Sequence, residues 1–258
     1  MLFFRSIRAA FIFLTRIPLG GFPYSAEEWR WSTAHFPLVG AALGVLLAGL
    51  WWFFAPVIGP WPTAFLIIGI NCLLTGGFHE DGLADTYDAL GGAYDRERLL
   101  EILKDSRIGS FGAIALFVVL GFRASAMATL PLESVIWILA FAQVGSRMFP
   151  IWLMVALPYA TSDSESKSRQ VTRAGPWQAI VATGWTLFAA ALLVGMGTLS
   201  LPFLLISLGL GLALTLFLGW RFSERAGGVT GDFLGATQQL CEVAISLAAF
   251  AALRFFPN

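Results

Sequence analysis

The feature that most constrains this chain is a series of long apolar runs. They cover Leu38–Pro56, Thr63–Phe78, Ile108–Leu130, Ser134–Leu157, Gln178–Thr198, Leu201–Trp220 and Leu240–Phe256. About 20 mostly apolar residues are needed for a helix to cross the hydrocarbon core of a bilayer. Composition agrees. Of the 258 residues 57% are hydrophobic and 12% charged, about half the ~25% of a soluble domain. So few charges would not cover so much apolar surface in water. Intrinsic disorder, a collagen-like repeat and a basic nucleic-acid-binding domain are excluded, and no nucleic-acid partner is expected. Cys72 and Cys241 both fall inside apolar runs and read as small core residues rather than a disulfide or metal pair. The expected fold class is all-α. It is a polytopic integral membrane helical bundle of about seven transmembrane helices, with six to eight allowed, forming a single membrane domain over residues 1–258.

The N-terminal stretch MLFFRSIRAAFIFLTRIPLGGF is interrupted by Arg5, Arg8, Thr15 and Arg16. That is too often for a span, and no A-x-A cleavage site follows. It predicts an interfacial helix with its arginines toward lipid headgroups. Seven spans put residues 1–37, 79–107, 158–177 and 221–239 on one face. Thirteen of the 16 basic residues lie there: Arg5, Arg8, Arg16, Arg30, Arg96, Arg98, Lys104, Arg107, Lys167, Arg169, Arg173, Arg221 and Arg225. By the positive-inside rule that face is cytoplasmic. Loops near 79–107, 158–177 and 221–239 are the expected catalytic surface. No internal repeat of 20–50 residues is visible, which counts against an inverted-repeat transporter.

Chemistry concentrates in GGFHEDGLADTYDALGGAYDRERLLEILKDSRIGSFG, residues 76–112. On a helix, Asp81, Asp85 and Asp88 stand at i, i+4 and i+7, on one face. Like charges so placed repel, and a divalent cation relieves them. Carboxylate oxygens favour Mg2+ or Mn2+ over Zn2+, and carboxylate-held Mg2+ usually also binds substrate phosphates. Glu80, Asp81, Asp85 and Asp88 are therefore the candidate metal ligands, against the plain alternative of a solvated acidic loop. His79 is a candidate general base, weighed evenly against a hydrogen-bonded interface histidine. His35 reads as structural. Lys104, Asp105 and Arg107 are candidate phosphate contacts, whereas Arg96 and Arg98 read as ordinary surface-helix charges.

Arg123 and Arg147 lie inside apolar runs, where an arginine normally faces a cavity or a partner. Arg147, close to Gln143 and Ser146, is the stronger candidate for substrate contact. In RFSERAGGVTGDFLGATQQLCEV, Asp232 and Glu242 can share a helix face with Gln239. Both are candidate substrate-binding residues, although Asp232 could equally serve a helix cap with Thr230 and Gly231.

FLTRIPLG at 13–20, FPLVGAALG at 36–44, GGFHEDGLADTYDA at 76–89, KDSRIGSFG at 104–112 and GGVTGDFLGA at 227–236 resemble the cobalamin synthase family, adenosylcobinamide-GDP ribazoletransferases, in content and order. The resemblance implies an Mg2+-dependent membrane transferase. Its substrates would be adenosylcobinamide-GDP and alpha-ribazole or alpha-ribazole 5'-phosphate. Its products would be adenosylcobalamin, or the 5'-phosphate, and GMP. It also implies a bacterial cytoplasmic (inner) membrane location with the catalytic face cytoplasmic. It leaves room for self-association and for contact with other enzymes of corrinoid assembly. Two other functions remain as alternatives. One is a CDP-alcohol-type phosphotransferase, whose D-x-x-D-G pattern is followed by A-R; here Gly82 is followed by Leu83, Ala84 and Asp85. The other is a cation transporter, which would carry its carboxylates midway through spans.

Overall fold

Prolines and glycines set the ends of the helices that the apolar runs form. Proline in the first helical turn lacks only an N–H that would be unpaired anyway. It opens the helices at Pro37, Pro60, Pro150, Pro176 and Pro202. The structure is a computed structural model that describes residues 1–160 and 173–256. Most of the expected 158–177 loop, with Lys167 and Arg169, lies outside the described residues. The helices are α1 (Leu2–Leu14), α2 (Ala26–Ser32), α3 (Phe36–Ile58), α4 (Pro60–Thr75), α5 (Phe78–Gly92), α6 (Arg96–Ile102), α7 (Ser110–Thr129), α8 (Leu132–Gly145), α9 (Phe149–Ala156), α10 (Pro176–Gly195), α11 (Leu201–Ala226) and α12 (Gly231–Phe255). A single 3-10 turn, Thr33–His35, joins α2 to α3. No strand occurs among the described residues, and the one β-bridge is Tyr159 with Val229.

Six helical stretches are long and apolar enough to cross a membrane, and seven if α4 and α5, bent at 94° to each other, count as one broken span. The expected all-α membrane bundle is what the chain forms. α8, α9 and α12 are the inner helices. Trp51, Ile67, Phe141, Phe203 and Ile245 meet in the main core from five different helices. The outer helices present Trp52, Leu73, Phe117, Phe188 and Leu216 outward, as lipid-facing surface requires. α3 packs on α8 through Gly40 and Gly44, where a Cβ on Gly44 would come within 2.7 Å of the Ala140 carbonyl oxygen. Small residues four apart let two backbones touch in this way, the usual glue of helices in lipid.

One boundary needs correction. The regions 79–107 and 221–239 are mostly helix: α5 and α6 fill the first, in keeping with the helical spacing read for Asp81–Asp88 and the surface helix read around Arg96 and Arg98, but the last span is longer than Leu240–Phe256, because α12 starts at Gly231. Packing of its polar first turns against α5 carries the helix back beyond the apolar run. The N-terminal helix forms; Arg8 is exposed on it, while Arg5 turns toward the chain. Arg5 pairs with Glu28, donates to the Pro23 carbonyl at 2.6 Å and lies over the Tyr24 ring. Docking of Ala10 and Leu14 against Phe36 and Val39 turns this side of α1 toward the chain.

Candidate active site

The acidic motif is placed by one turn. Gly76 and Gly77 both hold left-handed φ, 74° and 68°, a conformation that residues with a Cβ avoid. They end α4 and start α5 at a right angle to it. The Arg16 guanidinium lies against Gly76, and its backbone N–H donates to the Leu74 carbonyl at 2.7 Å. α5 then packs on the first turns of α12 through Gly82. A Cβ there would lie 2.9 Å from the Asp232 carbonyl oxygen and 3.0 Å from its Cα. This contact sets Asp232 opposite Asp81 and Asp85. Asp85 feels the negative charge of Asp81, Asp232 and Asp88, in that order, and Asp232 feels Asp81. Asp81 is exposed, and Asp85 and Asp232 are half-buried. Thr230 does cap α12, its hydroxyl accepting from the Phe233 N–H at 3.3 Å.

Asp88 shares the face but uses its carboxylate differently. Its two oxygens accept the N–H groups of Gly109 and Gly112, at 2.7 and 2.8 Å. It therefore anchors the start of α7, where unpaired N–H groups and the helix dipole favour an anion. Lys104, Asp105 and Arg107 lie in the segment leading to that anchor. Arg107 is exposed and grips Asp105 at 2.6 Å. Hydrogen bonds from Arg107 hold the Asp105 carboxyl down at about 2. Arg96 donates to the carbonyls of Ala226 and Ala160 at 2.8 and 2.9 Å, the structural role expected of it.

Glu80 and Glu242 belong to neither group, which corrects their assignment to metal and substrate. Both are buried with Arg123 between them. Arg123 contacts Glu242 at 2.5 Å and Glu80 at 3.7 Å, and donates to Gln239 Oε1 at 2.8 Å. Gln239 in turn donates to Glu80 at 3.0 Å. Gln143 and Gln238 donate to the two oxygens of Glu242 at 2.6 and 3.0 Å. An ion in a low-dielectric interior is tolerated only when paired and hydrogen-bonded; these side chains supply that for Glu242 and for one oxygen of Glu80, whose Oε2 has no partner among the described residues. The helix face of Glu242 could be read from sequence; Arg123, 119 residues away, could not.

Arg147 differs. It stands at the break between α8 and α9, where Pro150 has no N–H to carry the helix on. It is 2% exposed. Its Nη1 donates to the backbone carbonyl and side-chain oxygen of Gln143 at 2.7 and 2.8 Å. Its Nε and Nη2 have no partner, and among the described residues it has no ion pair. Arg147 and His79 both line a cleft whose other walls include Phe13, Phe36, Phe78 and Gly235. Eight of the twelve residues of this cleft come from four of the five sequence motifs; Arg147, Pro150, Met154 and Gln238 come from outside them. The fifth, residues 104–112, is tied in through Asp88. Phe13 and Phe36 were not singled out in sequence, because a phenylalanine in an apolar run looks like core; their only signal was membership of those motifs.

Among the described residues no three His, Cys, Asp or Glu side chains form a ready metal cage. Mg2+ requires less, commonly one or two carboxylates completed by water and substrate phosphates. Asp81, Asp85 and Asp232 offer hard oxygens of one sign on adjoining elements, a donor set that fits. Fold and site thus define a polytopic, all-helical membrane protein with an acidic cluster beside a cation-lined cleft.

The sequence profile of the family described as Cobalamin-5-phosphate synthase matches residues 6–250. The adenosylcobinamide-GDP ribazoletransferase of Leptothrix cholodnii is 40% identical, with 94% of each chain covered. Those of a Polaromonas species and of Shewanella amazonensis are 37% and 38% identical, covering 97% and 92% of this chain and 98% and 92% of their own. No solved structure matches. The chain belongs to the cobalamin-5-phosphate synthase family.

Proposed function

We propose that this chain is a ribazoletransferase. It joins adenosylcobinamide-GDP to alpha-ribazole or its 5'-phosphate and releases GMP, with its site on the cytoplasmic face of the bacterial inner membrane. The carrying observation is that residues scattered from Phe13 to Gly235 meet at one cleft, beside carboxylates that repel one another. A ribazole hydroxyl attacks the phosphorus attached to cobinamide, the bond to the GMP phosphate breaks, and the hydroxyl proton leaves to a base. His79, on the cleft wall two residues before Asp81, is the candidate base. Asp81 and Asp85 would hold Mg2+ with Asp232; when bound, the ion neutralises the diphosphate and the charge on departing GMP. Asp88 positions α7 and the segment before it. Lys104 and Arg107 are proposed to close on phosphate oxygens from the exposed side, with Asp105 holding Arg107 ready. Arg147 meets phosphate oxygens from within the cleft.

The cation-transporter reading is disfavoured because the interior carboxylates, Glu80 and Glu242, are already paired with Arg123. The test is GMP release from adenosylcobinamide-GDP by the purified chain, with ribazole acceptor, with and without Mg2+. Asp81 is exposed, so Asp81→Asn should fold normally. It should lower turnover at least about 100-fold, the scale of losing one oriented charge at a transition state. Turnover near wild type in that variant would remove the carboxylate site.

A further inference from the structure

Building on that reaction, we propose that Arg147 reads the monoester phosphate of the acceptor, and that the cleft in front of it is the seat of the acceptor's aromatic base. Four observations converge here. First, Arg147 is 2% exposed and keeps two guanidinium nitrogens without a partner. Buried charged donors are otherwise nearly always hydrogen-bonded. Glu242 and Glu80 are near enough to act on Arg147 through their charge, but neither hydrogen-bonds to it, and both are ion-paired with Arg123. Second, the starts of two helices line the same cleft, α5 at Phe78 and His79 and α12 at Gly231. The dipole at a helix start favours an anion; at α12 it acts without free donors at Gly231 and Phe233, whose N–H groups go to Tyr159 and Thr230. Third, the remaining walls are apolar and aromatic, with Phe13, Phe36 and Met154 among them. Such walls suit a flat base rather than a hydrated corrinoid side chain or a bare diphosphate. Fourth, the cleft and the acidic cluster share a border. His79 and Gly231 line the cleft, Asp81 and Asp232 follow them by two residues and one, and the Asp232 backbone packs on Gly82 beside Asp81. An acceptor seated in the cleft therefore brings its hydroxyl toward the carboxylates, with its phosphate held away from the reacting bond.

A group remote from the bond being made contributes mainly uniform binding, so its removal should move KM more than kcat. A charge-assisted hydrogen bond to phosphate corresponds to roughly ten- to 100-fold in affinity. The experiment uses the full chain in lipid nanodiscs with saturating adenosylcobinamide-GDP. Wild type should favour ribazole 5'-phosphate over ribazole at least tenfold in kcat/KM. Arg147→Gln should bring that preference to within about threefold, chiefly through the KM of the phosphorylated acceptor. Arg147→Lys, which keeps the charge but not the planar fork, should be intermediate. A preference that survives Arg147→Gln would overturn the proposal. So would a rise in donor KM equal to the rise in acceptor KM, because the phosphate read would then be the donor's diphosphate.

If Arg147→Gln does not yield a monodisperse protein, Met154→Trp answers in its place. Narrowing the cleft without touching charge should raise KM for both acceptors at least tenfold and leave donor KM within about twofold. Unchanged acceptor KM in that variant would also overturn the proposal. Titration of ribazole 5'-phosphate alone, followed by heat, separates this inference from the reaction on which it rests. No GMP release from wild type sinks the reaction. Binding of the phosphate no tighter than that of ribazole sinks the role of Arg147.

Discussion

Arg123 shows how much one residue holds in place. It lies between Glu80 and Glu242 and reaches Gln239 as well, so three helices meet on one guanidinium. Removing one partner of a buried pair typically costs about 3–5 kcal/mol, because the other charge is left uncompensated. Arg123→Met leaves two such carboxylates. Its thermal unfolding in detergent should be shifted down by that order, and Glu242→Gln, which keeps one accepting oxygen and leaves Arg123 paired with Glu80, should lose less. Wild-type stability in the Arg123→Met variant would mean that the network is incidental. At this scale the sequence was a partial guide. Residue type and helical spacing marked Asp81, Asp85, Asp232 and Arg147 as worth attention, and the structure gathers them around one cleft and its border. The same spacing could not tell Glu80 and Glu242 from catalytic carboxylates. Their partner arrives from α7, and helix periodicity is silent about which neighbour faces which side.

Between elements the decisive contact is α5 against α12. The missing Cβ at Gly82 lets Asp232 approach the acidic face, and the atoms in its way are backbone atoms that have no room to give. Gly235, one turn further along α12, is looser, with its nearest obstruction 3.4 Å away at His79. Gly82→Ala should therefore push the helices apart by a few tenths of an ångström and reduce GMP release at least about tenfold, since misplacement on the ångström scale at a reacting centre can cost about 100-fold. Gly235→Ala should stay within about threefold of wild type. Equal turnover in the two variants would show that the spacing of α5 and α12 does not set the site. The seven apolar runs were legible because lipid selects length and hydropathy. α5, α6 and the first turns of α12 were legible as helices from carboxylate spacing and caps, but their burial was not, because it comes from neighbouring helices. The right-angle turn at Gly76–Gly77 was visible only as two glycines whose consequence depends on φ.

For the whole molecule, seven crossings, with α4 and α5 counted as one, would sort nearly all the basic charge to one face. Glu97 and Glu133 are both exposed and flank a single crossing, α7. In a Cys72→Ala background, Glu97→Cys should react with a membrane-impermeant thiol reagent only from the cytoplasmic side. Glu133→Cys should react only from the opposite side; labelling of both from one side would reverse or break the topology. α4 also bears on the surrounding lipid. Its 16 residues span about 24 Å at 1.5 Å per residue, against a hydrocarbon thickness of about 30 Å. A stretch shorter than the bilayer is met by thinning of the lipid around it. Thinning where α4 turns into α5 would lower the headgroup level toward the carboxylate face. In the proposed reaction, a water-borne donor and a partly apolar acceptor would then meet at the carboxylates without either crossing the bilayer.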